Sequence, residues 1–74
     1  NTRMSITQAG NVGIGTQNPT CALDLDAISM RIRNSGTPSS ASDPGAQGEI
    51  RWDANYLYIC VAANTWKRVA LEAW

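Results

Sequence analysis

Apolar and polar residues alternate along most of the chain with the two-residue period of β-strands. In residues 4–16 the large apolar side chains are Met4, Ile6, Val12 and Ile14, interspersed with polar residues and glycine. The sequence Gln-Ala-Gly-Asn at 8–11 lies between the two halves and is typical of a turn. This segment therefore predicts a β-hairpin.

The alternation resumes in residues 21–33, after an Asn-Pro break at 18–19. Leu23 and Leu25 alternate with aspartates, and Ile28, Met30 and Ile32 alternate with serine and arginine. A helix would spread these apolar side chains around its circumference, whereas a strand places each run on one face. We therefore expect strands in both runs, with a helix as the weaker alternative.

Residues 34–48 break the strand pattern. Their sequence, NSGTPSSASDPGAQG, is rich in serine, glycine and proline and contains almost nothing to bury. It predicts a long loop or linker. Since a loop of this length is unusual inside so small a domain, we expect it either to be mobile or to wrap across neighbouring subunits.

Residues 49–74 carry the strongest strand pattern and predict a three-stranded antiparallel meander. Ile50 and Trp52 alternate with charged residues, and a two-residue turn can form at 54–55. A continuous apolar run follows from Tyr56 to Val61, rich in aromatic and β-branched residues. A second turn at 62–65 leads to a third predicted strand, Trp66–Leu71.

The turns of this meander predict its register. The first turn places Trp52 opposite Leu57 and Ile50 opposite Ile59, so that apolar residues meet. A second turn of even length would place Val61 opposite Trp66, Tyr58 opposite Val69 and Tyr56 opposite Leu71. One face would then hold Ile50, Trp52, Leu57, Ile59, Val61 and Trp66, and the other would hold Tyr56, Tyr58, Cys60, Val69 and Leu71. Because both faces are apolar and the chain has little left to cover the second, we expect a symmetric partner to cover it.

Composition also favours an oligomer. Only 13 of the 74 residues are Val, Ile or Leu, and Phe is absent, so a monomer would be marginally stable. Small domains of this kind rely on disulfides, metals or oligomerisation. Cys21 and Cys60 allow one bridge at most, and the sequence does not decide whether it forms. With no histidine and no cysteine cluster, a zinc site is not expected, which leaves oligomerisation.

Charge and motifs argue against several function classes. Six basic and six acidic residues balance, which disfavours nucleic-acid binding, and no apolar run reaches the ~18 residues of a membrane span. Gly13-Ile14-Gly15 does not continue to a dinucleotide fingerprint, because Asn18 stands where the third glycine is needed. Asp24 and Asp26 share a strand face as a metal pair would, but such residues more often form a solvated face.

We expect neither a catalytic site nor a cofactor. No histidine is present to activate the serines as nucleophiles. Paired carboxylates of the glycosidase kind would need a cleft, which a chain this short builds only between subunits. The expectation is therefore that this chain is not an enzyme.

Two segments resemble viral structural proteins. The stretch Gly10–Thr16 (GNVGIGT), followed by Asn18-Pro19 and Leu23-Asp24, is similar to a pattern of phage tail fibres that occurs near the end of the fibre. The stretch Gly48–Val69 (GEIRWDANYLYICVAANTWKRV) resembles a C-terminal segment of such proteins. The resemblance covers roughly half of the chain and implies a homotrimeric, largely β, interwoven architecture at the tip of a fibrous shaft.

The resulting hypothesis is an all-β, intertwined homotrimer in the tail fibre of a virion. Residues 1–33 would form strands next to an upstream fibrous shaft of the same chain, 34–48 a loop or linker, and 49–74 a trimerisation meander. The expected assembly interface consists of Ile50, Trp52, Tyr56, Leu57, Tyr58, Ile59, Val61, Trp66, Val69 and Leu71. Because the chain begins at Asn1 without an initiator methionine, we expect a piece of a longer protein.

A receptor- or glycan-binding tip that contacts the host surface is the alternative hypothesis. In that case the aromatic residues would stack on sugar rings, and these are Trp52, Tyr56, Tyr58, Trp66 and Trp74. Aromatic residues in alternating strands more often belong to a core or an interface, so the pattern favours assembly.

Overall fold

The computed structural model describes residues 3–74, and within that range the chain is all-β, as expected from its alternation. None of these residues lies in a helix, so none forms an apolar helix long enough to cross a membrane. The chain divides into two compact units, the first ending at Arg31 and the second spanning Ile32–Trp74. Each unit holds one three-stranded sheet.

The first unit contains the predicted hairpin. Strand β1 (Met4–Ile6) pairs antiparallel with β2 (Val12–Ile14), with Met4 opposite Ile14 and Ile6 opposite Val12. The intervening turn is closed by hydrogen bonds from the Gly10 N–H to the Thr7 carbonyl and from the Thr7 N–H to the Asn11 carbonyl. The hairpin prediction is confirmed.

A third strand, β3 (Leu23–Leu25), adds to the other edge of β2 in parallel. Two glycines of the GNVGIGT stretch make this close packing possible. A Cβ atom on Gly13 would lie 2.6 Å from the Thr16 carbonyl oxygen. Gly15 has a positive φ of 82°, and a Cβ atom there would lie 3.0 Å from the Asp26 carbonyl oxygen. The two glycines therefore allow the backbone to pack closely, since a side chain at either position would collide with the chain or strain it.

The strand predicted over Ile28–Ile32 is wrong. Residues beyond β3 contain no strand until Ile50. The physical reason is that β2 ends at Ile14, whose carbonyl accepts the last bond of the ladder from the Asp26 N–H. The backbone N–H and C=O groups of a strand need hydrogen-bond partners in a neighbouring strand, and an alternating sequence alone does not provide that strand.

The second unit contains the predicted antiparallel meander. Strands β4 (Ile50–Trp52), β5 (Tyr56–Ala62) and β6 (Thr65–Ala70) lie in that order. The first hairpin has the predicted register, with Ile50 opposite Ile59 and Trp52 opposite Leu57. A carboxylate oxygen of Asp53 accepts hydrogen bonds from the N–H groups of Asn55 and Tyr56, which stabilises the turn.

The register predicted for the second hairpin is wrong by one residue. Trp66 lies opposite Cys60 rather than Val61, and Leu57 lies opposite Val69. The ladder shifts between Cys60 and Ala62, where two steps on β5 face one step on β6, so that Val61 forms a β-bulge. Asn64, with a positive φ of 54°, makes the tight turn that follows. A one-residue slip moves every β6 side chain to the other face, so Trp66 and Val69 exchange sides.

The core of the second unit lies on one face of its sheet. Its buried residues are Tyr58, Cys60 and Trp66, which are 5%, 0% and 6% exposed, and Tyr56 packs beside them. We name this side, with those four residues, the covered face.

Residues 34–48, expected to be mobile or to wrap across neighbouring subunits, pack on this face of their own sheet, although their sequence contains almost nothing to bury. The Trp66 indole N–H donates to the Asp43 carbonyl at 2.9 Å, and the Trp66 backbone N–H donates to the Ala41 carbonyl. Gly45 lies flat against the indole, since a Cβ atom there would be 2.7 Å from the ring. The segment therefore covers its own sheet closely, and its contacts with Trp66 come from backbone carbonyls and a bare glycine.

Both cysteines are free thiols. Cys21 is exposed, and Cys60 is buried with its Sγ 3.0 Å from the Ala62 carbonyl. Cys60 thus packs as a small apolar residue in the centre of the core.

Candidate assembly surface

The opposite side of the C-terminal sheet carries apolar side chains that the unit leaves exposed. Ile50, Ile59 and Val69 are 48%, 41% and 56% exposed. Alternation along the strands and the observed register place them on one side, together with their neighbours. We name this side the open face, and its members are Ile50, Trp52, Leu57, Ile59, Val61, Val69 and Leu71.

A shallow apolar depression of about 290 Å³ lies in the open face. Leu57, Ile59, Val61 and Val69 form its apolar lining, and two basic residues of β6 stand at its border. One of them, Lys67, lies opposite Ile59 in the ladder. An apolar centre with a charged rim is the usual anatomy of a protein–protein interface.

The ten residues predicted for an interface fall on both faces of the sheet. Seven of them form the open face, and their role in assembly stays a prediction. The other three, Tyr56, Tyr58 and Trp66, belong to the covered face, where the chain's own loop packs on them. Trp66 was expected among the open-face residues, and Val69 and Leu71 among the others. The bulge at Val61 accounts for that exchange.

A hydrogen-bond network centred on Asp53 joins the loop to the covered face. One Asp53 carboxylate oxygen accepts from the Thr37 hydroxyl at 2.6 Å and from the Tyr58 hydroxyl. These two bonds, with those from the Asn55 and Tyr56 N–H groups, hold the pKa of Asp53 well below its usual range. The same contact raises the pKa of Tyr58, because its proton is shared with a carboxylate. The network fixes one end of the loop.

Arg51 ties the middle of the loop to the sheet. Its Nε lies 2.9 Å from a Glu49 carboxylate oxygen, and its Nη1 lies 3.8 Å from an Asp43 carboxylate oxygen. The guanidinium also lies over the Trp66 ring, 4.8 Å from its centroid. The Ala46 N–H and then Arg51 lower the pKa of Glu49. The covered face is thus held by charge and hydrogen bonds as well as by packing.

The N-terminal unit presents a second apolar surface that the sequence reasoning missed. The register places all of its strand aliphatics on one side and Ser5, Gly13 and Asp24 on the other. The aliphatic side consists of Met4, Ile6, Val12, Ile14, Leu23 and Leu25, of which four are exposed and two are half-buried. The alternation of each strand is visible in the sequence. Only the parallel pairing of β3 with β2, however, shows that the aliphatic residues of all three strands lie on the same side of the sheet.

The carboxylates considered for a metal site have a structural role or none. Asp24 accepts hydrogen bonds from the Thr20 N–H at 2.9 Å and the Thr20 hydroxyl at 3.3 Å, so it fixes the turn before β3. Asp26 is exposed. Across residues 3–74, no three Cys, Asp or Glu side chains lie close enough together to hold a metal ion.

The aromatic residues considered for sugar stacking are mostly engaged within the chain. Tyr58 and Trp66 are buried, and the Arg68 guanidinium lies over the Tyr56 ring at 4.1 Å. The Trp52 indole N–H donates to the Ile32 carbonyl at 2.7 Å. Trp74 is the fully exposed aromatic residue among them, so the structure offers no row of free aromatic faces in the part it describes.

Two phage proteins are similar to this chain. A capsule K30/K69-specific depolymerase of Klebsiella phage K64-1 is 45% identical over 56 residues, which are 76% of this chain and 7% of that protein. Depolymerase 1, capsule K30/K69-specific, of Klebsiella phage K5-2 is 52% identical over 40 residues, which are 54% of this chain and 5% of that protein. The chain therefore spans less than a tenth of the length of either relative.

The chain matches no protein-family profile, and no solved structure is similar to it. Both relatives are phage proteins, which agrees with the phage origin implied by the GNVGIGT and GEIRWD stretches. Both are also named as enzymes, although the matched stretch is a small part of each.

Proposed function

We propose that this chain is a trimerisation module of a phage tail-fibre-like protein, carried in the virion. In this proposal the open faces of three copies pack around a three-fold axis, which locks the chains together and sets their register. The observation that carries it is the open face itself: a sheet side of seven apolar residues, of which five are exposed and two, Trp52 and Leu57, are half-buried. The number three comes from the resemblance to fibres.

The energetics support burial of this face between copies. The core inside the second unit contains only three buried hydrophobic residues. Full burial of one large aliphatic side chain contributes about 1.5–3 kcal/mol. Ile50, Ile59 and Val69 are about half exposed, so covering the open face would add a part of that amount for each. A net charge of zero means that copies do not repel one another through overall charge.

We further propose that this segment is a structural, non-catalytic part of such a protein and follows a fibrous shaft of the same chain. The members of its open face are all apolar, with Lys67 at the border of the depression, which suits assembly rather than bond cleavage. The depolymerase activity named for the two relatives would then reside outside the stretch that resembles this chain.

Sedimentation equilibrium tests the assembly proposal. The wild-type chain should have three times its own mass of 8.0 kDa, about 24 kDa. Ile59→Asp places a carboxylate in the middle of the open face, next to Lys67 in the ladder, and should give a folded 8.0 kDa monomer. Ala63→Asp adds the same charge at the exposed β5–β6 turn and should assemble like the wild type. A folded wild-type monomer, or full assembly of Ile59→Asp, would contradict the proposal.

A further inference from the structure

A groove of about 310 Å³ lies in the second unit, between loop residues 37–41 and strand β6. The loop and the strand touch where the Trp66 N–H donates to the Ala41 carbonyl at 2.9 Å, and Arg68 also lines the groove. Tyr58 and Trp66 contribute the aromatic part of its lining. The volume is at the lower end of the range for small-ligand sites, about 300–1,000 Å³.

The loop wall of this groove presents three hydroxyl groups, two of which already donate their protons within the chain. The Thr37 hydroxyl donates to Asp53 at 2.6 Å, and the Ser39 hydroxyl donates to Asp43 at 2.8 Å. The Ser40 hydroxyl is hydrogen-bonded to that of Ser42. Their oxygen atoms remain able to accept, so this wall suits a ligand that donates several hydrogen bonds of its own.

The strand wall supplies the complementary donors through Arg68. Its guanidinium is held over the Tyr56 ring at 4.1 Å, and neither ion pair found in residues 3–74 involves it. The Trp66 N–H points away from β5 and toward the loop. Because N–H directions alternate along a strand, the Arg68 N–H, two residues later, points the same way. One wall therefore accepts hydrogen bonds, and the other offers a cation together with a backbone donor.

The groove is formed before any ligand arrives. The hydrogen bonds to Asp53 and the ion pairs of Arg51 hold the loop against the sheet on both sides of Pro38, which is itself buried. Pre-formed sites avoid the ordering cost of binding. The groove also lies on the covered side, so assembly through the open face would leave it accessible.

We propose that this groove binds an acidic saccharide, with sugar hydroxyls on the loop wall and a sugar carboxylate on Arg68. A sugar ring donates and accepts in many directions, which matches the mixed walls, and a carboxylate fits the guanidinium fork in bidentate fashion. The site is complete within one copy of the chain, so it does not depend on the assembly proposal.

Amide chemical-shift titration of the full chain tests this site. The probe is tetragalacturonic acid, and the matched control ligand is its methyl ester, which keeps the hydroxyls and removes the charge. The acid should shift the amide signals of residues 37, 39–41 and 66–68, and the ester should bind about tenfold more weakly, as expected for loss of one charge-assisted contact. Arg68→Gln should weaken binding of the acid by the same factor.

Arg33→Gln is the matched variant, since it removes an exposed arginine of the same unit that does not line the groove. It should bind the acid as the wild type does. The proposal is overturned if the acid causes no shifts, if acid and ester bind equally, or if Arg33→Gln and Arg68→Gln lose the same affinity. Since mass in solution is measured separately, failure of this test leaves the assembly proposal standing.

Discussion

The two faces of the C-terminal sheet differ in what covers them more than in how apolar they are. The covered face holds two tyrosines, a tryptophan and a cysteine beneath a loop rich in Ser, Gly and Pro. The open face holds mostly aliphatic side chains, five of which the unit leaves exposed. An apolar pattern therefore identifies a face that must be buried, but the partner that buries it can be a polar-looking segment of the same chain.

The nature of the side chains explains the difference. Trp66 satisfies its indole and backbone N–H groups with loop carbonyls, and Tyr58 satisfies its hydroxyl with Asp53. Aromatic residues with polar atoms can be covered by a polar loop because each polar atom finds a partner. Ile59 and Val69 offer no such groups, so only another apolar surface matches them.

The largest expected effect concerns the covered face. Trp66→Ala should remove about 3–5 kcal/mol of unfolding free energy, because it empties the core and leaves the Asp43 carbonyl without its donor. The check is urea denaturation followed by circular dichroism at fixed chain concentration. Trp74→Ala, at a fully exposed tryptophan, should change the unfolding free energy by less than about 0.5 kcal/mol. Equal effects of the two variants would mean that the loop does not form a core with Trp66.

A smaller effect is expected where the loop meets the indole. Gly45→Ala would place a Cβ atom 2.7 Å from the Trp66 ring and should cost about 1–3 kcal/mol by overpacking. Gly36→Ala is the matched control, because its Cβ would meet only the Arg51 side chain at an ordinary 3.5 Å. Thermal unfolding of both variants measures the difference. A Gly45→Ala variant as stable as the wild type would show that the loop does not pack closely against the Trp66 ring.

The loop anchor should also make the covered face sensitive to acid. Hydrogen bonds from Thr37 and then Tyr58 lower the pKa of Asp53 in the folded chain. Its contribution is therefore fully present above the unfolded-state pKa of about 4 and is lost as pH falls toward the lower folded-state pKa. Melting temperatures measured from pH 6 down to pH 2 should fall steeply for the wild type and less steeply for Asp53→Asn.

Thr37→Val gives an intermediate test of the same network. It removes one of the donors to Asp53 and keeps the carboxylate, so its acid slope should lie between those of the wild type and Asp53→Asn. An Asp53→Asn variant with the full wild-type slope would rule out the anchor as the source of acid sensitivity.

The smallest expected effect is that of Arg51→Gln. Its two ion pairs are partly exposed, and such pairs contribute about 0–1 kcal/mol, with a similar figure for its contact over Trp66. The expected loss of unfolding free energy is about 1 kcal/mol, and raised salt should reduce it. Arg33→Gln should show no loss, and denaturation at two salt concentrations separates the two variants.

The sequence predicted those features that depend on local pattern. The hairpin at 4–16 and the pairing of Ile50 with Ile59 follow from alternation and short turns, and both are present. The bulge at Val61 was not visible, because an extra residue in one strand leaves the apolar run unchanged. Its omission reversed the positions of Trp66 and Val69.

Features that depend on distant contacts were not predictable from pattern. Residues 28–32 alternate as β3 does, but they have no strand beside them to complete a ladder. The loop over the covered face acts through the carbonyls of Ala41 and Asp43, which no side-chain pattern records. For the same reason, the shared apolar side of β1, β2 and β3 became evident only with the parallel pairing.

Contacts between copies at the open face are the most direct test of its proposed role. In a mixture of isotope-labelled and unlabelled chains, filtered nuclear Overhauser spectra report only contacts between different copies. Burial of the open face in a trimer predicts intermolecular contacts from the methyl groups of Leu57, Ile59 and Val69. Absence of any intermolecular contact from these methyl groups, in a sample that is folded, would contradict it.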